Sequence, residues 1–133
     1  MAREKKVIDA SVVVKWFVDE EGTKEALQLR EDHSTGKITL VAPELLFLEV
    51  MNTLRYKGGT AKTLAQANKT LWDAQLHVER SNSFLLERAC SVALEHNLSL
   101  YDALYLALGT IHGCSVITAD RAIAKTQNAM LLK

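Results

Sequence analysis

Short runs of apolar, β-branched residues alternate along the chain with longer stretches that repeat apolar residues every three or four positions. The runs predict buried strands, and the longer stretches predict amphipathic helices. The clearest strand is Val7-Ile8-Asp9-Ala10-Ser11, which follows two lysines and ends on a carboxylate. Strands that alternate with helices indicate a parallel sheet with helices on both faces. The other predicted strands cover 38–42, 76–79, 114–118 and 129–132.

Capping residues mark the ends of the predicted helices. Ser11 is expected to cap a short helix that ends near position 17, and Pro43 is expected to be the first residue of a longer helix. That longer helix is expected to end at Gly58-Gly59, because glycine is common just past a helix C-terminus. The helix over 99–112 is apolar nearly all round and is therefore expected to be buried. The remaining predicted helices cover 23–32, 60–72, 84–95 and 120–125.

Length and composition restrict the class of protein. The chain has 133 residues, which predicts a single domain over 1–133. Its 16 basic residues balance 16 acidic ones, which argues against nucleic-acid binding by bulk charge alone. No apolar leader and no membrane-spanning run are visible, so we expect a cytoplasmic protein without membrane contact. Cys90 and Cys114 lack the spacing of a zinc site and are expected to be buried thiols.

Four acidic residues are expected near one edge of the sheet. Asp9 and Asp120 each follow a predicted strand, and Asp102 stands in the first turn of the apolar helix. Glu49 lies inside a helix between apolar neighbours, with no basic residue four positions away to pair with it. Each of the three aspartates, considered alone, has an ordinary explanation as a helix cap. The sequence Ser99-x-x-Asp102 is a capping-box pattern.

Taken together, the four acids predict a cation site. In open parallel sheets, ligands bind outside the carboxyl ends of the strands. Two like charges ~4 Å apart repel by about 4 kcal/mol at an effective dielectric constant of about 20, so clustered carboxylates favour a bound cation. Oxygen ligands favour Mg²⁺ or Mn²⁺, and no histidine or cysteine accompanies these acids to favour zinc. A divalent ion in such a site is typical of phosphoryl chemistry.

The sequence around these acids resembles that of the PIN-domain ribonucleases, and among them the VapC toxins of toxin–antitoxin pairs. The resemblance implies a three-layer α/β/α sandwich with a parallel sheet of strand order 3-2-1-4-5. It implies Mg²⁺- or Mn²⁺-dependent cleavage of RNA by a homodimer that a cognate antitoxin silences. The blocks that carry it are Val7-Ile8-Asp9-Ala10-Ser11, Ala42-Pro43-Glu44-Leu45, Glu49-x-x-Asn52, Ser99-Leu100-Tyr101-Asp102-Ala103-Leu104-Tyr105-Leu106-Ala107 and Ile117-Thr118-Ala119-Asp120.

The resemblance also implies roles for individual residues. Carried over by position, the catalytic quartet is Asp9, Glu49, Asp102 and Asp120, with Ser11 and Thr118 at hydroxyl positions near the metal and Asn52 in support. Our hypothesis is metal-assisted hydrolysis that leaves 5′-phosphate and 3′-hydroxyl ends. Asp9 and Asp102 are expected to be direct metal ligands, Asp120 a further or outer ligand, and Glu49 to orient the water. The nearby basic residues are interpreted as ordinary surface: Lys15, Arg55, Lys57 and Arg121.

Other functions remain possible from the sequence. A phosphorylated receiver domain needs a second acid after the first strand and a lysine after a late one, and a haloacid-dehalogenase-type phosphatase needs an aspartate where Ser11 stands. Neither pattern is present. A catalytically weak binding module with the same fold is the open alternative. An apolar groove for an antitoxin helix is one interpretation of four residues that could equally be core: Trp16, Phe17, Leu27 and Leu64.

Overall fold

A five-stranded parallel sheet with strand order β3-β2-β1-β4-β5 forms the centre of the molecule. The computed structural model describes residues 3–126 and 128–132. The order is the predicted one, and all five predicted strands are present, although the third, fourth and fifth have only three residues each. The strands are β1 (Glu4–Ile8), β2 (Ile38–Pro43), β3 (His77–Glu79), β4 (Val116–Thr118) and β5 (Ala129–Leu131).

Helices flank the sheet and complete the predicted α/β/α sandwich. Helix α5 packs along α6, which lies against β1, β2 and β4, whereas α1 contacts β4, and α2 and α3 contact β2. A 3₁₀ turn, Val14–Trp16, continues α1. The helices are α1 (Ala10–Val13), α2 (Thr23–Ser34), α3 (Leu45–Tyr56), α4 (Ala61–Asp73), α5 (Ser83–His96), α6 (Leu100–His112) and α7 (Arg121–Ala124).

The middle of the sheet and α6 form the core. Val7 of β1 pairs with Val41 on one side and Val116 on the other, and all three are fully buried. Every residue from 103 to 109 is buried, which confirms the predicted burial of α6. Because β1 is the central strand, the residue that follows it lies at the middle of the carboxyl edge of the sheet. That residue is Asp9.

Two predicted helix starts are wrong. Pro43 is the last residue of β2 and pairs with Glu79, because the fixed φ of proline also suits an extended chain. The missing amide of Pro43 is harmless there, since the next amide, that of Glu44, donates to the Glu79 carbonyl at 3.1 Å. Asp9, and not Ser11, occupies the N-cap position of α1, since the helix begins at Ala10 and Ser11 lies inside it.

The cysteines differ in part from the prediction. Both are free thiols, but Cys90 is exposed because Ala89 takes the inward position of that turn of α5. Cys114 is half-buried behind the glycine that ends α6, and burial raises the pKa of its thiol. Within residues 3–126 and 128–132, no helix is both long enough and apolar enough to span a membrane.

Candidate active site

The four predicted acids line one cleft at the carboxyl edge of the sheet. The cleft has a volume of about 340 Å³. Four separate elements bring the acids there, since Asp9 follows β1, Glu49 is in α3, Asp102 is in the first turn of α6, and Asp120 follows β4. The other side chains that line this acid cleft include Ser11, Lys15, Glu20, Thr53 and Lys57.

Asp9 is held by two hydroxyl groups rather than used as a helix cap. Its side chain makes no capping bond to α1 and is 5% exposed. The hydroxyls of Ser11 and Thr118 donate to the same atom, Asp9 Oδ2, at 2.6 and 2.8 Å. Each hydroxyl also accepts a backbone N–H at 2.9 Å, Ser11 from Ala119 and Thr118 from Asp120. The loop after β4 therefore orients both hydroxyl hydrogens towards Asp9.

The environment of Asp9 acts on its charge in two directions. Burial raises the pKa of the Asp9 carboxyl, the hydrogen bonds from Ser11 and Thr118 lower it, and the nearby charge of Asp120 raises it. The net result is a pKa above the ordinary value. The two hydroxyl hydrogen bonds therefore offset only part of the free energy needed to bury the charged carboxylate. A nearby positive charge would stabilise the charged form further.

Glu49 has a partner that the sequence analysis missed. The buried Tyr105 hydroxyl of α6 donates to Glu49 Oε1 at 2.5 Å. Burial raises the pKa of Glu49, the Tyr105 hydrogen bond lowers it, and the charges of Asp9 and Asp102 raise it. The available signal was the second of the two tyrosines in α6, which stands three residues after Asp102 and hence near the same face of the helix.

Asp102 and Asp120 differ in how far they serve as caps. The Ser99 hydroxyl accepts the amide N–H of Asp102 at 3.1 Å and so caps α6. Burial and the charges of Asp9 and Asp120 raise the pKa of Asp102. Asp120 does cap α7, since its Oδ1 accepts the amide of Ala122 at 2.8 Å.

Asn52 is a predicted site residue that the structure does not bring to the cleft, whereas Thr118 reaches the cleft through its hydrogen bond to Asp9. It is exposed on α3 and does not line the acid cleft. Thr53 lines it instead, one residue further along α3 and four positions after Glu49. Positions three and four residues apart both lie near the same helix face. Sequence spacing alone therefore could not choose between Asn52 and Thr53.

Two lysines that were interpreted as ordinary surface also line the acid cleft. Lys15 and Lys57 each contact Glu20, with N–O distances of 3.2 and 3.5 Å. Burial opposes ionisation of Glu20, but the two lysines outweigh it and hold its pKa below the usual value. Arg55 and Arg121 are exposed and do not line the cleft. Lys15 and Lys57 therefore lie at the acid cleft, whereas the two arginines lie away from it.

The donor set of the cleft suits a hard cation. All its acidic ligands are oxygens, and no histidine or cysteine lines it. The described residues place one group of three histidine, cysteine or acidic ligand atoms within 4.8 Å of one another, and that group lies outside the cleft. No three of the described cleft acids therefore bring their carboxylate oxygens within 4.8 Å of one another. Mg²⁺ commonly binds one or two carboxylates and keeps several waters, so it does not require three carboxylates in close contact.

A larger groove lies beside the first helices. Its volume is about 580 Å³, and Trp16, Phe17 and Leu64 line it together with Arg30 and Leu54. Trp16 also belongs to the core, since it is 8% exposed and its indole N–H donates to the Ala26 carbonyl. Leu27, the fourth residue expected there, does not line this groove and is 40% exposed on α2.

Known proteins similar to this chain match nearly its whole length. Ribonuclease VapC3 from Pyrobaculum aerophilum is 29% identical over 131 residues, which cover 96% of this chain and 98% of that protein. The crystal structure of PAE2754, from the same organism, has a TM-score of 0.72 at 22% identity and covers 97% of this chain and 90% of its own. A toxin–antitoxin complex from Klebsiella pneumoniae has a TM-score of 0.72 at 20% identity, with coverage of 94% and 95%.

The family of the chain follows from its sequence and agrees with the fold. The two solved structures share the sandwich architecture and, at this low identity, support the fold alone. The family model for the PIN domain matches residues 6–129, a range that includes all four cleft acids. The chain therefore belongs to the PIN domain family.

Proposed function

We propose that this chain, as one domain over 1–133, is a ribonuclease that hydrolyses RNA phosphodiester bonds with the help of Mg²⁺ or Mn²⁺. The observation that carries the proposal is the acid cleft, where Asp9, Glu49, Asp102 and Asp120 converge from distant parts of the sequence. The similarity to a protein named as a ribonuclease, over almost the full length of both chains, supports the same chemistry.

The charges of the cleft support the presence of a cation. Burial and mutual repulsion raise the pKa of three of the acids, Asp9, Glu49 and Asp102. A bound cation reduces this repulsion between carboxylates and stabilises their charged forms. When bound, a divalent ion activates water for attack on phosphorus and offsets the charge of the phosphate. We assign Asp9 and Asp102 as its direct ligands and Asp120 as a further or outer ligand.

The remaining cleft residues receive supporting roles in this proposal. Ser11 and Thr118 fix the orientation of Asp9 through their hydrogen bonds. Tyr105 fixes Glu49, which we assign to orient the attacking water. Lys15 and Lys57 bring positive charge to the rim of an otherwise acidic cleft. We assign them to the RNA phosphates that flank the scissile bond, because phosphate contacts hold the register of a nucleic acid.

We further propose that the chain is the toxin of a toxin–antitoxin pair, forms a homodimer and acts in the cytoplasm. A solved toxin–antitoxin complex from Klebsiella pneumoniae shares the fold. The groove lined by Trp16, Phe17 and Leu64 also contains the cationic side chains of Arg30 and Lys57. A groove with apolar walls and charged side chains suits an amphipathic helix. We assign this groove to the antitoxin.

Cleavage of a defined RNA by the purified chain tests the proposed activity. We expect Mg²⁺-dependent products with 5′-phosphate ends from the wild type, and a loss of at least a hundredfold in rate in Asp9→Asn. The control is Asp73→Asn, which changes an exposed acid of α4 that pairs with Lys69 at 2.7 Å and does not line the cleft. Equal rates in Asp9→Asn and Asp73→Asn would assign the activity to a contaminant and favour the binding-module alternative.

A further inference from the structure

A second cluster of metal-ligand side chains lies on β3 and α6. His77 and Glu79 are two residues apart in β3, so both point to the same face of the sheet. His112, in the last turn of α6, meets them there. Glu79 Oε1 lies 3.1 Å from His77 Nε2 and 2.9 Å from His112 Nε2. The cluster is therefore built by the packing of a helix end against an edge strand.

The donor atoms of the cluster lie close enough together to share one metal ion. The two imidazole nitrogens and the carboxylate oxygen all lie within 4.8 Å of one another. Four donors placed tetrahedrally around zinc at its usual bond lengths are about 3.3 Å apart, close to the spacings measured here. The two imidazole rings meet edge to face, with centroids 5.7 Å apart, so both rings fit beside one carboxylate.

Burial leaves one side of the cluster open. The His112 side chain is 11% exposed, whereas that of Glu79 is 34% exposed and that of His77 is 47% exposed. Two histidines and one glutamate form a known zinc-ligand set whose fourth position is taken by water or a substrate. Imidazole ligands favour zinc and its neighbours over Mg²⁺, which prefers oxygen. This donor set therefore differs in kind from that of the acid cleft.

We propose that His77, Glu79 and His112 bind a divalent cation of the zinc class at a site separate from the acid cleft. None of the three side chains lines that cleft. The bound ion joins β3 to the end of α6. This link matters because β3 is a three-residue edge strand that pairs only with β2. The bound ion thus fastens one short edge of the described sheet to α6, with one coordination position open to solvent.

The alternative is a hydrogen-bonded cluster that binds no metal. The N–O distances of 2.9 and 3.1 Å also suit imidazole N–H groups that donate to Glu79. Those bonds outweigh the burial of Glu79 and hold its pKa below the usual value, which keeps the carboxylate charged. A charged carboxylate serves both arrangements, so the two are separated by metal binding and not by geometry.

Titration of the chelator-treated full chain with Zn²⁺ tests the proposal. Calorimetry is performed with saturating Mg²⁺ and in a Cys90→Ser background, since the exposed Cys90 thiol is another zinc ligand. We expect one equivalent of Zn²⁺ to bind and to raise the melting temperature. His77→Gln and His112→Gln are expected to weaken this binding at least tenfold and to remove the thermal shift.

Two controls make the result specific. His96→Gln changes an exposed histidine of α5 outside the cluster and is expected to bind Zn²⁺ like the parent. Asp9→Asn is expected to leave Zn²⁺ binding intact while it lowers Mg²⁺-dependent cleavage, so this inference and the proposed nuclease function fail independently. Glu79→Gln repeats the test if a histidine variant fails to fold. No Zn²⁺ binding, or equal binding in the parent and both histidine variants, would overturn the proposal.

Discussion

The Tyr105 hydroxyl donates a 2.5 Å hydrogen bond to Glu49 Oε1 and so connects α6 to α3 at the acid cleft. The two residues are 56 positions apart in the sequence. Tyr105 is fully buried, and its packing in the core leaves the phenol little freedom to move. The position of Glu49 in the cleft is therefore set by the core and not by solvent contacts.

Removal of this hydroxyl is expected to release Glu49. Tyr105→Phe keeps the ring but loses a hydrogen bond to a charged group, which lowers the free energy of unfolding by about 1.5–3 kcal/mol. The pKa of Glu49 rises further, because the Tyr105 bond is what lowers it. We expect RNA cleavage to fall about tenfold. Tyr101→Phe, at a tyrosine that is 62% exposed, is the control and should change neither quantity. Equal activity in the two variants would mean that the Tyr105 hydrogen bond does not position Glu49 for catalysis.

Thr118 is expected to control the pH dependence through Asp9. Thr118→Val keeps the shape but removes a donor to Asp9 and the acceptor of the Asp120 amide. The cost is about 1–3 kcal/mol of unfolding free energy. Loss of that donor raises the pKa of Asp9, so the acidic limb of the pH–rate profile should move to higher pH.

The control for Thr118 is another threonine hydroxyl that lies outside the cleft. Thr110→Val removes a hydroxyl that donates to the Leu106 carbonyl at 3.2 Å on the exposed side of α6. Its pH–rate profile is expected to match that of the wild type. A Thr118→Val profile with an unmoved acidic limb would mean that the hydrogen bond does not tune Asp9.

Asp102→Asn is expected to stabilise the metal-free protein at neutral pH. A carboxyl whose pKa is raised on folding binds its proton more tightly in the folded state, so stability falls as the pH rises from the unfolded value of about 3.9 through the folded value. The pKa of Asp102 is raised by burial and by Asp9 and Asp120. The asparagine amide does not ionise, so the variant does not lose stability in this way as the pH rises.

Thermal unfolding in a chelating buffer measures the effect. The melting temperature of Asp102→Asn should exceed that of the wild type at pH 7.5, and the difference should vanish near pH 3.5, where the carboxyl is protonated in both states. Added Mn²⁺ should stabilise the wild type more than the variant. A variant less stable than the wild type at pH 7.5 without metal would contradict the assigned repulsion.

Lys57 is expected to add one phosphate contact. In a cleavage-deficient Asp9→Asn background, Lys57→Gln should weaken RNA binding and reduce the slope of log affinity against log salt by about 0.7, the value for one contact to a single strand. Lys69→Gln is the matched control, because Lys69 pairs with Asp73 on the exposed face of α4 away from the cleft. An unchanged slope in Lys57→Gln would place Lys57 outside the RNA path.

The fold was predictable because its signals are local. The alternation of apolar runs and helical periods gave the strands, and Thr60, Asn82 and Ser99 cap the helices that follow them. Pro43 shows the weakness of such signals, because a fixed φ near −65° suits both a helix start and an extended chain. The pairing of β2 with β3 decided between them, and that pairing is not visible in the sequence.

The site was predictable as a set of acids but not as a set of contacts. Position relative to strands and helices was enough to bring Asp9, Glu49, Asp102 and Asp120 to one cleft. The Tyr105 bond depends on how α6 and α3 are placed relative to each other, which the sequence does not show. The histidine cluster was missed for the same reason, since His112 is 33 residues from Glu79 and meets it only through packing.

Binding of Mn²⁺ is the most direct test of the central claim, that the carboxylates of the acid cleft jointly hold a divalent cation. Calorimetric titration is performed in a His112→Gln background, so that the histidine cluster does not contribute. The account predicts that Asp9→Asn and Asp102→Asn each weaken Mn²⁺ binding at least tenfold, while Asp73→Asn binds like the parent. Mn²⁺ affinity that is the same in all four proteins would contradict it.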